Sequence, residues 1–420
     1  MSSHYDTLET RQPQDREAAL MAALPAQIAH AQQHSAAFAE ILRGVNAASI
    51  NTRTALAQLP VTRKYALLER QQAQRAQDPF GGFAAIGWKG LLRSSGARRV
   101  YQSPGPIYEP EGQAVDYWRA ARAMAAAGFE AGDLVHNCFS YHLTPGAWIM
   151  ESGAHALGCT VIPGGVGNTE QQLAAIADLR PGAYSGTPSF LKILIEKSAE
   201  AGQKLSITKA MVSGEACPPS LRDWFTQQGV VAYQCYATAD VGLIAYETSA
   251  REGLVLDEGV IVEIVRPGTG DPVPEGEVGE LVVTSLNPDY PLIRFGTGDL
   301  SAILPGQCPT GRTGQRIKGW MGRADQTTKV RGMFVHPGQV AEIVKRFPEA
   351  LKARLVVTGE MANDQMALRV ETGNTADEAL KARIADAVRD VTKLRGDVQL
   401  VVAGSLANDG KVIEDARSYQ

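Results

Sequence analysis

Two glycine-rich stretches in the last third of the chain hold charged side chains of the kind that bind a polar ligand. The first runs from Arg294 to Leu300 and carries Asp299 directly after a Gly-Thr-Gly turn. The second runs from Gly319 to Gly332 and carries Arg323 and Asp325. Glycine lets the backbone approach a ligand closely while a neighbouring side chain holds it. Both stretches are therefore candidate ligand sites, although an aspartate is also common in ordinary turns.

Three further candidates precede or follow these stretches. Gly214, Glu215 and Ala216 come directly after a predicted strand, and the crevice beyond the carboxyl end of a parallel strand is where such sheets bind ligands. The alternative for these residues is a plain βα loop. Tyr236 offers a flat aromatic face for a base, or else is a core tyrosine. Lys411 lies in an Asn-Asp-Gly-Lys sequence, where a lysine is usually only solvated.

The elements that must position these residues change in character along the chain. Residues 1–78 are predicted to be mainly helical, with a break near Leu59-Pro60, and residues 79–246 alternate strand and helix at the spacing of parallel βαβ units. Residues 247–322 form a β-rich subdomain and residues 323–420 a small α+β domain. We therefore predict an α/β fold with a large N-terminal domain, 1–322, and a small C-terminal one, 323–420. Thr169 is predicted to cap a helix, with Gln172 completing a capping box.

Composition limits the class of protein. The 420 residues are 44% hydrophobic and 20% charged, as in ordinary globular proteins, and are too many for one compact core. A formal net charge of −4 argues against nucleic acid or an anionic membrane as partner. The polar start has no signal-peptide character, and no stretch has the apolar length of a membrane helix. Five scattered cysteines favour a reducing, cytoplasmic setting over a disulfide framework.

From His136 to Gln420 the chain resembles the phenylacetate–CoA ligase branch of the adenylate-forming superfamily, and the helical N-terminal segment is similar as well. One motif alone would be a weak signal, but several in the family's order are specific. Besides the two stretches above, the markers are Phe139 to Leu143, Ser185 to Ser189, Ser213 to Glu215, and Asp409 to Lys411.

The resemblance implies a role for each candidate. Asp299 would bind the ribose hydroxyls, the turn from Gly214 to Ala216 would line the adenine, and Tyr236 would stack on it. Arg323 would contact the ribose or a phosphate, and Asp325 would be the hinge of a mobile C-terminal domain.

Lys411 would be the catalytic lysine that this domain brings to the site during adenylation.

The phosphate side of the site departs from the family. Asp240 stands where the family has a glutamate that helps to hold Mg²⁺, which keeps the oxygen ligand but shortens its reach. Ala239 replaces a phosphate-binding hydroxyl residue, for which Thr238 is a possible substitute.

The phosphate loop departs further. Ser94 and Ser95 match its start, but the threonines and the Gly-Lys-Pro that follow in the family are missing. Arg98 or Arg99 could supply the positive charge, or both could be solvated loop residues.

The implied reaction joins a small carboxylate to CoA with ATP and Mg²⁺, through an acyl-adenylate. Phe139, Tyr141, His142 and Gly164 are predicted to line an acyl pocket, and their aromatic character suits an aryl acid such as phenylacetate. Two alternatives remain open, namely a CoA-independent adenylyltransferase and a nucleotide-binding homologue without ligase activity. A homodimer is possible, and no nucleic acid or membrane partner is expected.

Overall fold

The computed structural model describes residues 4–91, 96–266, 268–321, 323–324, 328–331, 333–335, 337–359, 363–375, 377–407 and 411–417. The chain divides into two compact units, Met1–Gly322 and Arg323–Gln420. In the ranges just given, no helix combines the length and the apolar character that a bilayer-spanning segment needs.

The first unit begins with helices, as predicted. They are α1 (Pro13–His34), α2 (Ala36–Ile41), α3 (Arg53–Ala57) and α4 (Lys64–Gln74), and the short strand β1 (Thr62–Arg63) precedes α4. Ser35 ends α1 and caps α2, because its hydroxyl accepts a hydrogen bond from the Phe38 amide (3.2 Å). Buried side chains of α1 and α2 such as Leu24, Ile28 and Phe38 join one core with the sheet that contains β1. Each contributes roughly 2 kcal/mol by burial.

A two-stranded antiparallel hairpin follows, which the sequence did not predict. Its strands are β2 (Arg99–Ser103) and β3 (Ile107–Glu111), and its tip is the Pro-Gly-Pro run at residues 104–106. The hairpin comes directly after the altered phosphate loop.

Next come the predicted βαβ units. The elements are α5 (Ala120–Ala126), β4 (Leu134–Asn137), α6 (Gly146–Ala156), β5 (Thr160–Pro163), α7 (Thr169–Leu179), β6 (Ala183–Gly186), α8 (Pro188–Glu200), β7 (Lys209–Val212), α9 (Pro219–Gln227) and β8 (Val231–Thr238). The five strands pair in parallel in the order β8-β7-β6-β4-β5. The predicted α/β fold with a parallel sheet is thus confirmed, and the carboxyl ends of these strands meet at one edge.

The rest of the first unit is antiparallel. Its strands are β9 (Gly242–Glu247), β10 (Leu254–Leu256), β11 (Val260–Val265), β12 (Gly279–Ser285), β13 (Phe295–Ser301), β14 (Ile303–Leu304) and β15 (Arg316–Ile317). β9, β10, β15 and β14 extend the parallel sheet beyond β8 to nine strands, whereas β11, β12 and β13 form a second sheet with β1. The predicted change near residue 246, from alternating strands and helices to mainly strands, therefore marks a change from parallel to antiparallel pairing within one sheet.

The predicted capping box at the start of α7 is wrong. The N-cap is Asn168, in the left-handed region (φ 48°), and makes no side-chain cap bond. The Gln172 side chain instead turns inward, where its Oε1 lies 2.7 Å from His136 Nε2 and its amide donates to the carbonyls of Gly165 and Gly167. Gln172 pairs with His136 and does not cap the helix, because the buried His136 Nε2 would otherwise lack a hydrogen-bond partner.

The second unit is the predicted small α+β fold. Its elements are β16 (Thr328–Val330), β17 (Met333–Val335), α10 (Pro337–Lys345), β18 (Lys352–Thr358), β19 (Gln365–Thr372), α11 (Glu378–Thr392), β20 (Asp397–Val402) and β21 (Ile413–Asp415). A four-stranded sheet in the order β20-β19-β18-β21 shares an apolar core with both helices. Asp377 caps α11 by accepting a hydrogen bond from the Leu380 amide (2.8 Å).

Candidate active site

Asp299 lies on β13 with only 8% of the residue exposed. The Tyr236 hydroxyl donates to its Oδ2 (2.7 Å), and the indole N–H of Trp320 donates to its Oδ1 (3.0 Å). Trp320 thus joins the two glycine-rich stretches within the first unit, a contact that the sequence analysis missed. A carboxylate accepts several hydrogen bonds at once, so this one can share or exchange its donors with a pair of ribose hydroxyls.

The turn from Gly214 to Ala216 lies at the carboxyl edge of the parallel sheet. Gly214 has a φ of +80°, which a glycine adopts without strain and which lets the chain leave β7 sharply. Glu215 Oε2 lies 3.4 Å from the amide of Ser189, the second residue of α8. Two of the predicted motifs, Ser185 to Ser189 and Ser213 to Glu215, therefore meet because β6 and β7 are parallel neighbours.

The turn between β8 and β9 holds Thr238 and Asp240. Thr238 Oγ1 accepts a hydrogen bond from the Val241 amide (3.1 Å) and so shapes the turn. Asp240 is buried, and its Oδ2 pairs with Lys64 Nζ at 2.8 Å. Its other oxygen, Oδ1, is buried and has no hydrogen-bond partner among the described residues. Lys64, the first residue of α4, was not predicted as a site residue, since 176 positions separate it from Asp240.

A second carboxyl group, Glu109 on β3, is fully buried in the same region. One of its oxygens accepts a hydrogen bond from the Ser103 hydroxyl, and the other, Oε2, has no partner in the described part of the chain. Burial raises the pKa of Glu109 well above its ordinary value; Asp240 raises it further, and Lys64 opposes the shift. Glu109 was not predicted as a site residue, because it follows no recognised motif.

Of the arginines near the phosphate loop, Arg99 is held by the fold. Its Nη1 lies 2.8 Å from Glu111 Oε1, and its guanidinium lies 4.0 Å from the centre of the Trp148 ring. Arg98 is exposed. Ser94 and Ser95, predicted as nucleotide-binding residues, lie outside the described residues.

The four residues predicted for the acyl pocket follow β4 and β5 but have different surroundings. The Tyr141 hydroxyl donates to Glu151 Oε2 (2.7 Å), and its ring packs edge-on against Trp148. Phe139 packs near Gly146. His142 is exposed and faces the tip of the β2–β3 hairpin across an open cavity of about 400 Å³.

Gly164, the fourth of these residues, lies against His136 and Gln172. A Cβ atom at this position would come within 2.8 Å of Gln172 Oε1 and 3.0 Å of the His136 ring. A larger residue at this position would have to displace the Gln172 and His136 side chains, whether or not Gly164 also faces an acyl group.

The remaining candidates belong to the second unit. Arg323 is half-buried at its start, and Lys411 is exposed, with its carbonyl oxygen accepting a hydrogen bond from Arg354 Nε (3.1 Å). Asp325, the predicted hinge, lies outside the described residues.

Sequence comparison places both units in one family. The AMP-binding enzyme family matches residues 114–287, and the AMP-binding enzyme C-terminal domain matches residues 332–415. A phenylacetate–coenzyme A ligase of Thermus thermophilus is 32% identical over 75% of this chain and 72% of its own length. Another, from Aromatoleum evansii, is 30% identical over 80% of this chain and 76% of its own length.

A solved structure agrees. A 2-hydroxyisobutyryl-CoA ligase in complex with 2-HIB-AMP and CoA superposes with a TM-score of 0.83 and 25% identity, and the match covers 100% of this chain and 93% of that one. The motifs, the fold and the relatives lead to the same conclusion: the chain belongs to the AMP-binding enzymes, in their phenylacetate–coenzyme A ligase branch, and is an AMP-forming acid–thiol ligase.

Proposed function

We propose that the chain converts a small carboxylic acid, ATP and CoA into an acyl-CoA thioester, AMP and pyrophosphate, by way of an acyl-adenylate. The observation that carries this proposal is the Asp299 carboxylate. It is buried and accepts hydrogen bonds from Tyr236 and Trp320, and it would accept hydrogen bonds from the two ribose hydroxyls in the same way. The turn at Gly214 to Ala216 would hold the adenine.

The chemistry needs positioning more than a nucleophilic side chain. A carboxylate oxygen of the substrate attacks the α-phosphorus, and the bond from that phosphorus to the bridging oxygen breaks, which releases pyrophosphate. The sulfur of CoA then attacks the acyl carbon, loses its proton, and displaces AMP. Lys411 would neutralise the charge that gathers between the carboxylate and the α-phosphate.

Because one lysine cannot stand where CoA must enter, we propose that the second unit turns about Asp325 between the two steps. This turn would withdraw Lys411 and open the way for the thiol. Arg323, at the start of the same unit, would contact the ribose or a phosphate.

We propose Mg²⁺ as the cofactor, with Asp240 as a ligand. The donor fits, since Asp240 presents a buried carboxylate oxygen without a partner among the described residues, and Mg²⁺ is bound by one or two carboxylates together with substrate phosphates. When bound, the ion would neutralise phosphate charge. Thr238 and the loop at Ser94 and Ser95 are proposed as further phosphate contacts.

For the acid, we propose an aryl substrate such as phenylacetate. The aromatic residues Phe139 and Tyr141 and exposed His142 near the strand ends, together with the phenylacetate–coenzyme A ligases among the relatives, support this choice. The 2-hydroxyisobutyryl-CoA ligase makes a small aliphatic hydroxy acid the main competitor.

The five described cysteines are unpaired, which supports a cytoplasmic setting. A homodimer would be tested by light scattering.

The test is the exchange of labelled pyrophosphate into ATP across a panel of aryl and aliphatic acids, followed by AMP release with and without CoA. We expect exchange with an aryl acid and AMP release that depends on CoA. AMP release without CoA would instead indicate an adenylyltransferase. AMP binding without exchange for any acid would indicate a nucleotide-binding homologue.

Lys411→Ala separates the two half-reactions. We expect the variant to lose acid-dependent pyrophosphate exchange by at least 100-fold, because the charge between carboxylate and phosphate is no longer neutralised. Thioester formation from a supplied acyl-adenylate should remain close to that of the unchanged protein. The control is Lys381→Ala, a partly exposed lysine on α11 of the same unit whose Nζ lies 3.8 Å from Glu378 Oε2. Equal loss of both half-reactions would show that Lys411 has a different role.

A further inference from the structure

The phosphate side of the active site is the part that the family pattern leaves unexplained, and the β2–β3 hairpin lies directly after it. The loop lacks the lysine of the family pattern, and Arg99 is engaged with Glu111 and Trp148. The hairpin brings Glu109 into the region of Asp240 and Lys64.

The position of Glu109 is fixed by its neighbours on both strands and by α4. Gln71 of α4 is fully buried; its Oε1 accepts from the Tyr108 amide (2.8 Å), and its Nε2 donates to the Tyr108 carbonyl (2.9 Å). These two hydrogen bonds attach β3 to α4. Gln71 lies seven residues after Lys64 in this helix. The Ser103 hydroxyl holds one oxygen of Glu109 from across the hairpin.

Three buried oxygen atoms in this region have no hydrogen-bond partner among the described residues. They are Asp240 Oδ1, Glu109 Oε2 and the Tyr290 hydroxyl. The three groups interact electrostatically: Asp240 acts on Glu109, and both carboxylates act on Tyr290. An orphaned buried oxygen costs roughly 1–3 kcal/mol, so three in one region mark a place where a bound group would be stabilised.

The charges point in the same direction. Two carboxylates face one lysine, so the region can hold both negative charges only with a second positive charge. The Lys64 side chain is 35% exposed while that of Asp240 is 1% exposed, so the cluster reaches solvent on the lysine side.

We propose that Glu109 and Asp240 together form a divalent-cation site at the pyrophosphate end of the active site, with the Tyr290 hydroxyl beside it. The hairpin would thus add a second carboxylate ligand beside the altered phosphate loop. This inference rests on the proposed function for the identity of the phosphates. The described residues hold no cluster of three His, Cys, Asp or Glu side chains suited to a metal. Two protein carboxylates would leave the rest of the coordination shell to water and substrate phosphate, as Mg²⁺ prefers.

The test measures cation binding directly, without any turnover. Mn²⁺ is titrated into the nucleotide-free full-length protein, and the free aqua ion is followed by electron paramagnetic resonance. We expect one saturable site, at least tenfold weaker in Glu109→Gln and in Asp240→Asn. Glu109→Asp keeps the carboxylate, so it should weaken Mn²⁺ binding less than Glu109→Gln does. If the glutamine variant does not fold, the aspartate variant is used in its place.

The matched control is Glu111→Gln, two residues along the same strand. Glu111 is equally buried but is engaged by Arg99 and Tyr101, so its loss should leave Mn²⁺ affinity unchanged. Thermal unfolding of each variant confirms that it is folded.

Two results overturn the inference: no saturable site in the unchanged protein, or equal affinity in that protein and Glu109→Gln. The second result would mean that Glu109 and Asp240 are a buried pair sharing a proton. Either result leaves acid-dependent pyrophosphate exchange untouched, so the ligase function is judged separately. Conversely, a chain without exchange for any acid but with Mn²⁺ binding that depends on Glu109 would keep the cation site and lose the proposed reaction.

Discussion

At the scale of single residues, the proposed nucleotide site depends on how the Asp299 carboxylate is held. Asp299 receives its described side-chain hydrogen bonds from a tyrosine hydroxyl and an indole, and both donors are neutral groups on rings. Aromatic rings have few rotatable bonds, so these donors fix the direction of the carboxylate at a low cost in side-chain entropy. The carboxylate is therefore already oriented in the chain without a nucleotide.

Tyr236→Phe tests this arrangement. Loss of the hydroxyl removes one donor, and we expect AMP to bind about tenfold more weakly, which corresponds to about 1.4 kcal/mol. Asp299→Asn should weaken binding more, because an amide replaces half of the acceptors by donors. Affinity is measured by calorimetry with AMP.

The control for this prediction is Tyr246→Phe. The Tyr246 hydroxyl donates to Glu9 Oε1 at 2.6 Å, the same kind of pair in a different place. The Tyr246→Phe substitution should lower the free energy of unfolding and leave AMP affinity unchanged. An unchanged AMP affinity in Tyr236→Phe would show that this hydroxyl does not orient Asp299 for nucleotide binding.

Asp116 gives a prediction for pH. Burial raises the pKa of this carboxyl from 3.8 to about 6. Between pH 4 and pH 6 the folded chain therefore keeps a proton that the unfolded chain has lost, so stability falls as pH rises through this range. Asp116→Asn lacks this dependence. The free energy of unfolding of the variant minus that of the unchanged protein should therefore rise by roughly 2–3 kcal/mol between pH 4 and pH 7. Urea unfolding at several pH values measures it; a constant difference would contradict the prediction.

At the scale of elements, Arg294 shows how a motif can mix ligand binding with structure. It opens the stretch that ends in Asp299, yet its side chain is buried and engages Glu263 on β11 through two nitrogens (3.0 and 3.1 Å). The same guanidinium donates to the carbonyls of Ala57 and Gly270. Arg294 therefore ties the second sheet to the helical segment and is not placed to hold a ligand.

Arg294→Met should lower the free energy of unfolding by about 3–5 kcal/mol, because Glu263 is left as an unpaired buried charge. Chemical denaturation measures the loss. Arg266→Met is the control, since Arg266 pairs with Glu277 at the surface, where the effect should stay within about 0.5 kcal/mol. A small effect of Arg294→Met would mean that water reaches this ion pair.

At the scale of the whole molecule, the chain has two units with separate cores. The core of the second unit contains residues of both helices and the four-stranded sheet, from Val330 to Ile413. Asp299, the proposed ribose-binding carboxylate, lies in the first unit, and Lys411, the proposed catalytic lysine, lies in the second. We therefore expect nucleotide binding and adenylation to depend on different units.

Expression of residues 1–322 and 323–420 as separate fragments tests this division. We expect each to unfold cooperatively, because each has its own apolar core. The first fragment should still bind AMP but show no pyrophosphate exchange, since it lacks Lys411. Calorimetry and circular dichroism follow binding and unfolding. Exchange by the first fragment alone would contradict the assigned role of the second.

The amino-acid sequence was sufficient to predict the alternation of strands and helices, the family, and the places where the phosphate side departs from the family pattern. These are local properties: apolar periodicity and short motifs are visible within about ten residues of chain. Tertiary structure alone decided that Lys64 meets Asp240, that Trp320 meets Asp299, and that the hairpin carries Glu109 into the same region. It also turned Gln172 from a helix cap into the partner of His136. Such partners lie far apart in the chain, and the need to satisfy buried polar groups, which selects them, acts only once the core has formed.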